Sequence, residues 1–203
     1  MSAISSVTFF GSAESLPESE NYQKAYETAK FVASSGREVV NGGGPGTMLA
    51  ATLGAKAAQG KSVVVYYTPK YATSFEGKSA ENYADEVYEE ANYIMRTKKL
   101  IELGNIYVIF YGGTGTLSEF AMAWEMARLY FGHHKPVILV GALWKEIVDV
   151  LKKDTLIPAG AIDILTVVET PEEVLREIDK YEVMLKLNKH THECKGDECF
   201  FIL

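Results

Sequence analysis

Ile106-Tyr107-Val108-Ile109-Phe110-Tyr111-Gly112-Gly113-Thr114-Gly115-Thr116-Leu117-Ser118-Glu119 is the stretch whose reading decides the fold. It opens on an unbroken apolar run, residues 106–110, the pattern of a strand buried on both faces. Three glycines and two threonines follow, and helical spacing begins near Thr116. A glycine-rich turn between a buried strand and a helix N-terminus is an anion site. The missing side chains let phosphate reach the backbone, and the free N–H groups and helix dipole favour its charge. Glu119 stands one turn into the helix. A carboxylate there is not needed for phosphate binding and repels it, so it points to a second job.

The same alternation runs outward along the chain. Apolar runs predict strands at 7–10, 39–40, 62–67, 106–110, 136–140 and 165–168. Helical spacing predicts helices over 22–35, 47–59, 92–103, 116–130 and 143–152. A last helix is announced by Thr170, Pro171 and Glu173, a capping box with proline at the first helical position. Residues 68–81, polar and aromatic, read as a functional loop. Strands alternating with helices predict an α/β fold: a Rossmann-like doubly wound parallel sheet with helices on both faces. The expected organisation is a nucleotide-binding domain over 1–187 and a polar tail over 188–203.

Composition narrows the partners. The chain has 203 residues, 47% hydrophobic, with a formal net charge of −7. That charge argues against an electrostatic grip on nucleic acid or on an anionic membrane. No stretch reads as a signal peptide or approaches a membrane-spanning length, so a cytoplasmic location is expected. The two cysteines, Cys194 and Cys199, both lie in the tail, so no disulfide is expected in the body. With His190 and His192 they give four metal-capable side chains, but their spacing matches no trusted zinc motif, and no metal site is expected.

In doubly wound folds ligands bind at the carboxyl ends of the strands, where the strand order reverses. Three expected strand ends are glycine-rich: Gly11-Ser12-Ala13, residues 42–46 with Gly43, Gly44 and Gly46, and residues 112–116 with Gly112, Gly113 and Gly115. Any one of them alone reads equally well as a tight turn. Together, with Glu119 beside the third, they point to a nucleotide or sugar-phosphate pocket. Neither a dinucleotide fingerprint nor a Walker-type loop is present. Met48 and Met95 read as packing residues, Trp124 and Trp144 as core or interface, and Lys98 and Lys99 as a solvated face. Arg96, on a mostly polar helical turn, would by itself read as a surface arginine.

The segments taken together resemble the Lonely-guy family of nucleoside monophosphate phosphoribohydrolases. Residues 112–119 are similar to its Pro-Gly-Gly-x-Gly-Thr-x-x-Glu motif. Asn41-Gly42-Gly43-Gly44-Pro45-Gly46-Thr47-Met48 matches its Gly-Gly-Gly-Pro-Gly-x-Met loop, and Phe10-Gly11-Ser12-Ala13 its first strand end. Arg96 precedes Glu119 by 23 positions, the family's spacing of functional arginine and glutamate. His134-Lys135-Pro136-Val137 and Gly141-Ala142-Leu143-Trp144 resemble its later segments. Tyr111 replaces the motif's leading proline, Thr97 the lysine after the arginine, Ser118 the first of two glutamates, and Glu14 an arginine of related chains.

The resemblance implies cleavage of the N-glycosidic bond of a nucleoside 5′-monophosphate, a cytokinin or AMP-like substrate, to free base and ribose 5-phosphate. Arg96 and Glu119 are then catalytic. Gly112, Gly113, Thr114, Gly115 and Thr116, with Ser12, Gly43, Gly44 and Gly46, hold phosphate and nucleotide. No metal or organic cofactor is expected, the partner is a small-molecule nucleotide, and a homodimer or larger homo-oligomer is expected. The alternative is a carrier that binds a nucleotide or phosphate-containing cofactor without hydrolysing it, as in the related molybdenum-cofactor carriers.

Overall fold

The computed structural model describes residues 4–69, 78–129 and 134–186. The tail with its His190, His192, Cys194 and Cys199, and part of the 68–81 loop, lie outside the described residues.

The chain alternates as its apolar runs dictate: β1 (Ser6–Phe10), α1 (Glu20–Ser34), β2 (Glu38–Asn41), α2 (Thr47–Ala57), β3 (Ser62–Tyr67), β4 (Glu86–Glu90), α3 (Tyr93–Leu103), β5 (Ile106–Phe110), α4 (Thr114–Leu129), β6 (Val137–Val140), α5 (Ala142–Asp154), α6 (Ala159–Ile162), β7 (Leu165–Val168) and α7 (Pro171–Lys186). The strands form one parallel sheet in the order β4-β3-β2-β1-β5-β6-β7. The expected doubly wound parallel sheet is the one that forms. Its order reverses between β1 and β5, which pair Val7 with Ile106 and Phe10 with Ile109.

Strand alternation splits the core into two layers. Val7, Phe9, Ile106, Val108, Phe110 and Val140 meet Ala25, Ala29 and Val32 of α1, Ala51 of α2 and Ile178 of α7. Phe10, Tyr107, Ile109, Val137 and Leu139 face the other way, against Leu100 of α3, Phe120 of α4 and Trp144 of α5. Helices therefore cover both faces, and every residue of the central strands β1 and β5 is buried because neither face meets water. Two elements went unexpected. The edge strand β4, Glu-Val-Tyr-Glu-Glu, carries charge on an exposed edge, where a strand is protected by charge rather than marked by apolar residues. The four-residue α6 is too short to show a helical period.

Caps set the helix starts. The Ser19 side chain accepts the Tyr22 N–H at α1, and Asn92 Oδ1 accepts the Met95 N–H at 3.0 Å at α3. The capping box at α7 forms as read: Thr170 Oγ1 accepts from Glu173 N, and Glu173 Oε2 accepts from Thr170 N, both at 3.2 Å.

Candidate functional site

Helix α3 is fixed at its far end by side chains from the sheet. The last four carbonyls of a helix lack internal partners, and here each finds one. Thr8 Oγ1 donates to Leu100 O (2.9 Å), the Tyr107 hydroxyl to Ile101 O (2.9 Å) and Ser6 Oγ to Leu103 O (2.6 Å). Lys135 Nζ donates to Ile101 O at 2.8 Å and Glu102 O at 3.1 Å. Burial lowers the Lys135 ammonium to about 8. So fastened, α3 carries Arg96 to the carboxyl ends of the central strands.

Arg96 is buried, 5% exposed. Its guanidinium makes three hydrogen bonds: Nε donates to Val65 O in β3 (3.0 Å), Nη2 to Gly42 O just past β2 (3.1 Å), and Nη1 to Glu119 Oε1 on α4 (3.0 Å). Nη2 also stands 3.7 Å from Met48 Sδ. Gly42 makes room for this. A Cβ there would lie 1.6 Å from Arg96 Nη2.

Glu119 is equally buried, 6% exposed. Burial raises its carboxyl above the ordinary glutamate value, and the charge and hydrogen bond of Arg96 pull the other way. Oε1 is held by Arg96, while Oε2 accepts no hydrogen bond among the described residues. Glu119 lines a cavity of about 340 Å³ together with Gly11, Ser12 and Ala13 after β1, Gly113 to Thr116 after β5, Met48, Arg96, Tyr93 and Glu14. The cavity thus opens at the switch between β1 and β5, where the topology places a ligand.

The glycines of the third loop divide by role. Gly112 is sterically required, since a Cβ there would meet Thr116 Oγ1 at 2.3 Å and Ser12 N at 2.8 Å. Gly113 and Gly115 are not: a Cβ at either meets nothing within 4 Å, and neither has a positive φ. Both line the cavity. Their missing side chains leave the N-terminus of α4 bare, with the space in front of its N–H groups unfilled.

The other expected residues fall as follows. Ser12 lines the cavity, and its backbone oxygen accepts from Thr47 N at 2.8 Å. Gly43, Gly44 and Gly46 do not line it. They build the turn behind it: Gly43 N donates to Asn41 Oδ1, Gly44 O accepts from Asn82 Nδ2, and Gly46 at φ 62° abuts Ser12 O. Met48 is a cavity wall as well as packing, and Met95, read as packing, is 41% exposed. Trp144 is core, and Trp124 stacks on Phe120 at 5.2 Å. Lys98 pairs with Glu102 on the surface, and Lys99 lies over the Tyr88 ring.

Sequence reading missed Tyr93 as a site residue. It lines the cavity, and its hydroxyl bonds Gly115 O at 3.2 Å and Ser118 Oγ at 2.5 Å. The signal was its place three residues before Arg96, on the same helix face. Thr97, where the resemblance has lysine, is fully buried.

A family model described as the SLOG cluster4 family matches residues 5–174. The chain belongs to the SLOG cluster4 family. That family is Lonely-guy-like, as the motifs implied. No curated protein matches this SLOG cluster4 chain. Solved structures do. A molybdenum cofactor binding protein from the phototrophic bacterium Rippkaea orientalis is 22% identical with a TM-score of 0.64, over 87% of this chain and 96% of that one. The molybdenum cofactor carrier protein of Chlamydomonas reinhardtii is 20% identical with a TM-score of 0.62, over 86% and 96%. DNA processing protein A of Helicobacter pylori, whose single-stranded DNA binding has been described, is 15% identical with a TM-score of 0.60, over 89% and 82%. At these identities the likeness shows the shared fold.

Proposed function

We propose that the protein binds a nucleoside 5′-phosphate, with the phosphate on residues 113–116 and the sugar over Glu119, and hydrolyses its N-glycosidic bond. The observation that carries this reading is the pairing of the bare glycines Gly113 and Gly115 with a buried carboxylate in one cavity. Phosphate fits the helix N-terminus. The carboxylate then faces the group that becomes positive when the bond breaks.

In that step water adds to the anomeric carbon while the base leaves, taking a proton. Positive charge builds on the ribose ring, as in O-glycoside hydrolysis. Glu119 stabilises that charge or takes the proton of the attacking water. A carboxyl raised by burial is better matched to proton transfer near neutral pH than an exposed one. Arg96, committed to Val65, Gly42 and Glu119, serves as a positioning residue that holds Oε1 and leaves Oε2 for the reaction. The remote phosphate supplies orientation.

A second reading, a carrier that holds a phosphate-containing cofactor without cleaving it, is favoured by the neighbours. Two of those reported above bind or carry the molybdenum cofactor. It uses the same cavity and phosphate loop. Against a nucleic-acid ligand, as in the DNA-binding neighbour, stands the net charge of −7. No helix among the described residues is long and apolar enough to cross a membrane; the same reading holds a cytoplasmic protein assembled as a homo-oligomer. Calorimetry with AMP and adenosine, followed by chromatography for free adenine, tests both readings. The hydrolase binds AMP over adenosine and releases adenine. Binding without release supports the carrier, and equal binding of AMP and adenosine overturns the phosphate placement.

A further inference from the structure

We propose that the site takes a two-part ligand joined through phosphate, with a second ring-bearing half seated against Tyr111 on the far side of the glycine loop. The proposal rests on the phosphate placement above and extends it.

A second cavity of about 460 Å³ adjoins the first, and the two share Ser12, Glu14 and Gly113. Each is within the range of about 300–1,000 Å³ usual for small-molecule sites. The loop that receives phosphate is therefore flanked by space on both sides. A mononucleotide occupies one side only.

The second cavity is bounded by Tyr111, 39% exposed, and Leu16, 60% exposed. The backbone of Tyr111 is clamped, because buried Asn21 donates from Nδ2 to Tyr111 O at 3.2 Å and to Ser15 Oγ at 2.8 Å. Its ring lies beside Gly141, where a Cβ would stand 3.7 Å from Cδ1. A half-exposed aromatic ring on a fixed backbone at the wall of a cavity is a ready platform for a planar ring.

Charge selects what lies beyond the phosphate. Glu14 and Glu18 border the second cavity. A nucleoside triphosphate would push its outer phosphates toward these carboxylates, which repel them. The distal half is therefore neutral or cationic, as in a dinucleotide bridged by its phosphates.

Calorimetric titration of the full chain with AMP, ADP and diadenosine diphosphate tests this. The wild type should bind the dinucleotide at least about tenfold more tightly than AMP, the scale of one stacked base. ADP, with the added phosphate but no second ring, should show no such gain. Tyr111→Ala and Leu16→Ser should each bring the dinucleotide-to-AMP ratio towards one, and Tyr111→Phe should keep it. A wild-type ratio of one, a ratio that survives both Tyr111→Ala and Leu16→Ser, or an equal gain with ADP overturns the proposal while leaving the phosphate site standing. Failure of the wild type to bind AMP overturns the phosphate placement and this proposal with it.

Discussion

Arg96 Nη1 stands 3.0 Å from Glu119 Oε1, and the two side chains bridge α3 and α4 in the wall of the cavity. Two buried charges so close are stable only as a pair. Removing one leaves the other desolvated and unpaired, whereas replacing both by apolar groups removes the penalty together with the attraction.

Arg96→Ala is therefore expected to destabilise the fold by about 3–5 kcal/mol, the cost of breaking a buried pair. Arg96→Met combined with Glu119→Leu should cost less than Arg96→Ala alone. Urea denaturation of the two variants beside wild type checks this; a double variant at least as unstable as Arg96→Ala contradicts it.

The glycine loop separates fold from ligand. Gly113→Ala meets open space, so its stability should stay within about 0.5 kcal/mol of wild type, as at other unconstrained sites. Its Cβ should nevertheless weaken AMP binding by blocking approach to the α4 N-terminus. Gly112→Ala forces a Cβ to 2.3 Å from Thr116 Oγ1 and should destabilise the protein outright. Thermal melts paired with AMP titrations read both; a Gly113→Ala protein that binds AMP as well as wild type contradicts the phosphate placement.

Much of this was legible in the chain. The runs at 62–67, 106–110 and 165–168 marked three strands in full, because their residues are mostly apolar, β-branched or aromatic, the types that fit a pleated, half-buried surface. Thr170 and Glu173 announced α7, because a capping box is local. β4 was hidden, since a charged edge strand carries no apolar signature. Arg96 read by itself as a surface arginine, and its spacing to Glu119 marked a role but not its burial. Its partners Val65 O and Gly42 O lie 31 and 54 positions away, and backbone oxygens leave no mark in a sequence. Lys135 could not be read as the anchor of α3, because its contacts form only when the sheet closes.

Lys135 gives a pH-dependent test of that anchor. Its folded value, about 8, lies below the ordinary 10.5. Between these values the unfolded chain holds a proton that the folded chain has lost, so this group favours folding increasingly as pH rises through the window. The stability of wild type relative to Lys135→Met should therefore grow from pH 8 towards 10.5. Chemical denaturation across that range measures it, and a flat or falling difference contradicts the buried ammonium.

Glu119 sets the acid limb of any turnover. Burial holds its carboxyl above the ordinary 4.5, so kcat/KM should fall with acidity at a pH higher than an exposed glutamate would give. Arg96→Met removes the cation that lowers it and should shift the limb further upward. A pH profile identical in the two proteins contradicts the coupling.

Assembly has a simple measure. Trp124, Leu156 and Pro158 line a groove of about 300 Å³, and Leu156 is fully exposed. The proposed homo-oligomer predicts at least a dimer by light scattering at micromolar concentration; a monomer rejects it.

The central claim, that Glu119 acts on a sugar anchored by phosphate at residues 113–116, is tested most directly by comparing adenine release from AMP in wild type and Glu119→Gln. The amide is nearly isosteric and retains a group for Arg96, so AMP binding should persist. It neither stabilises an oxocarbenium ion nor activates water, so release should drop about 30- to 1000-fold, equivalent to roughly 2–4 kcal/mol of transition-state stabilisation. Adenine release that continues unchanged in Glu119→Gln, or that runs as fast from adenosine as from AMP, would contradict it.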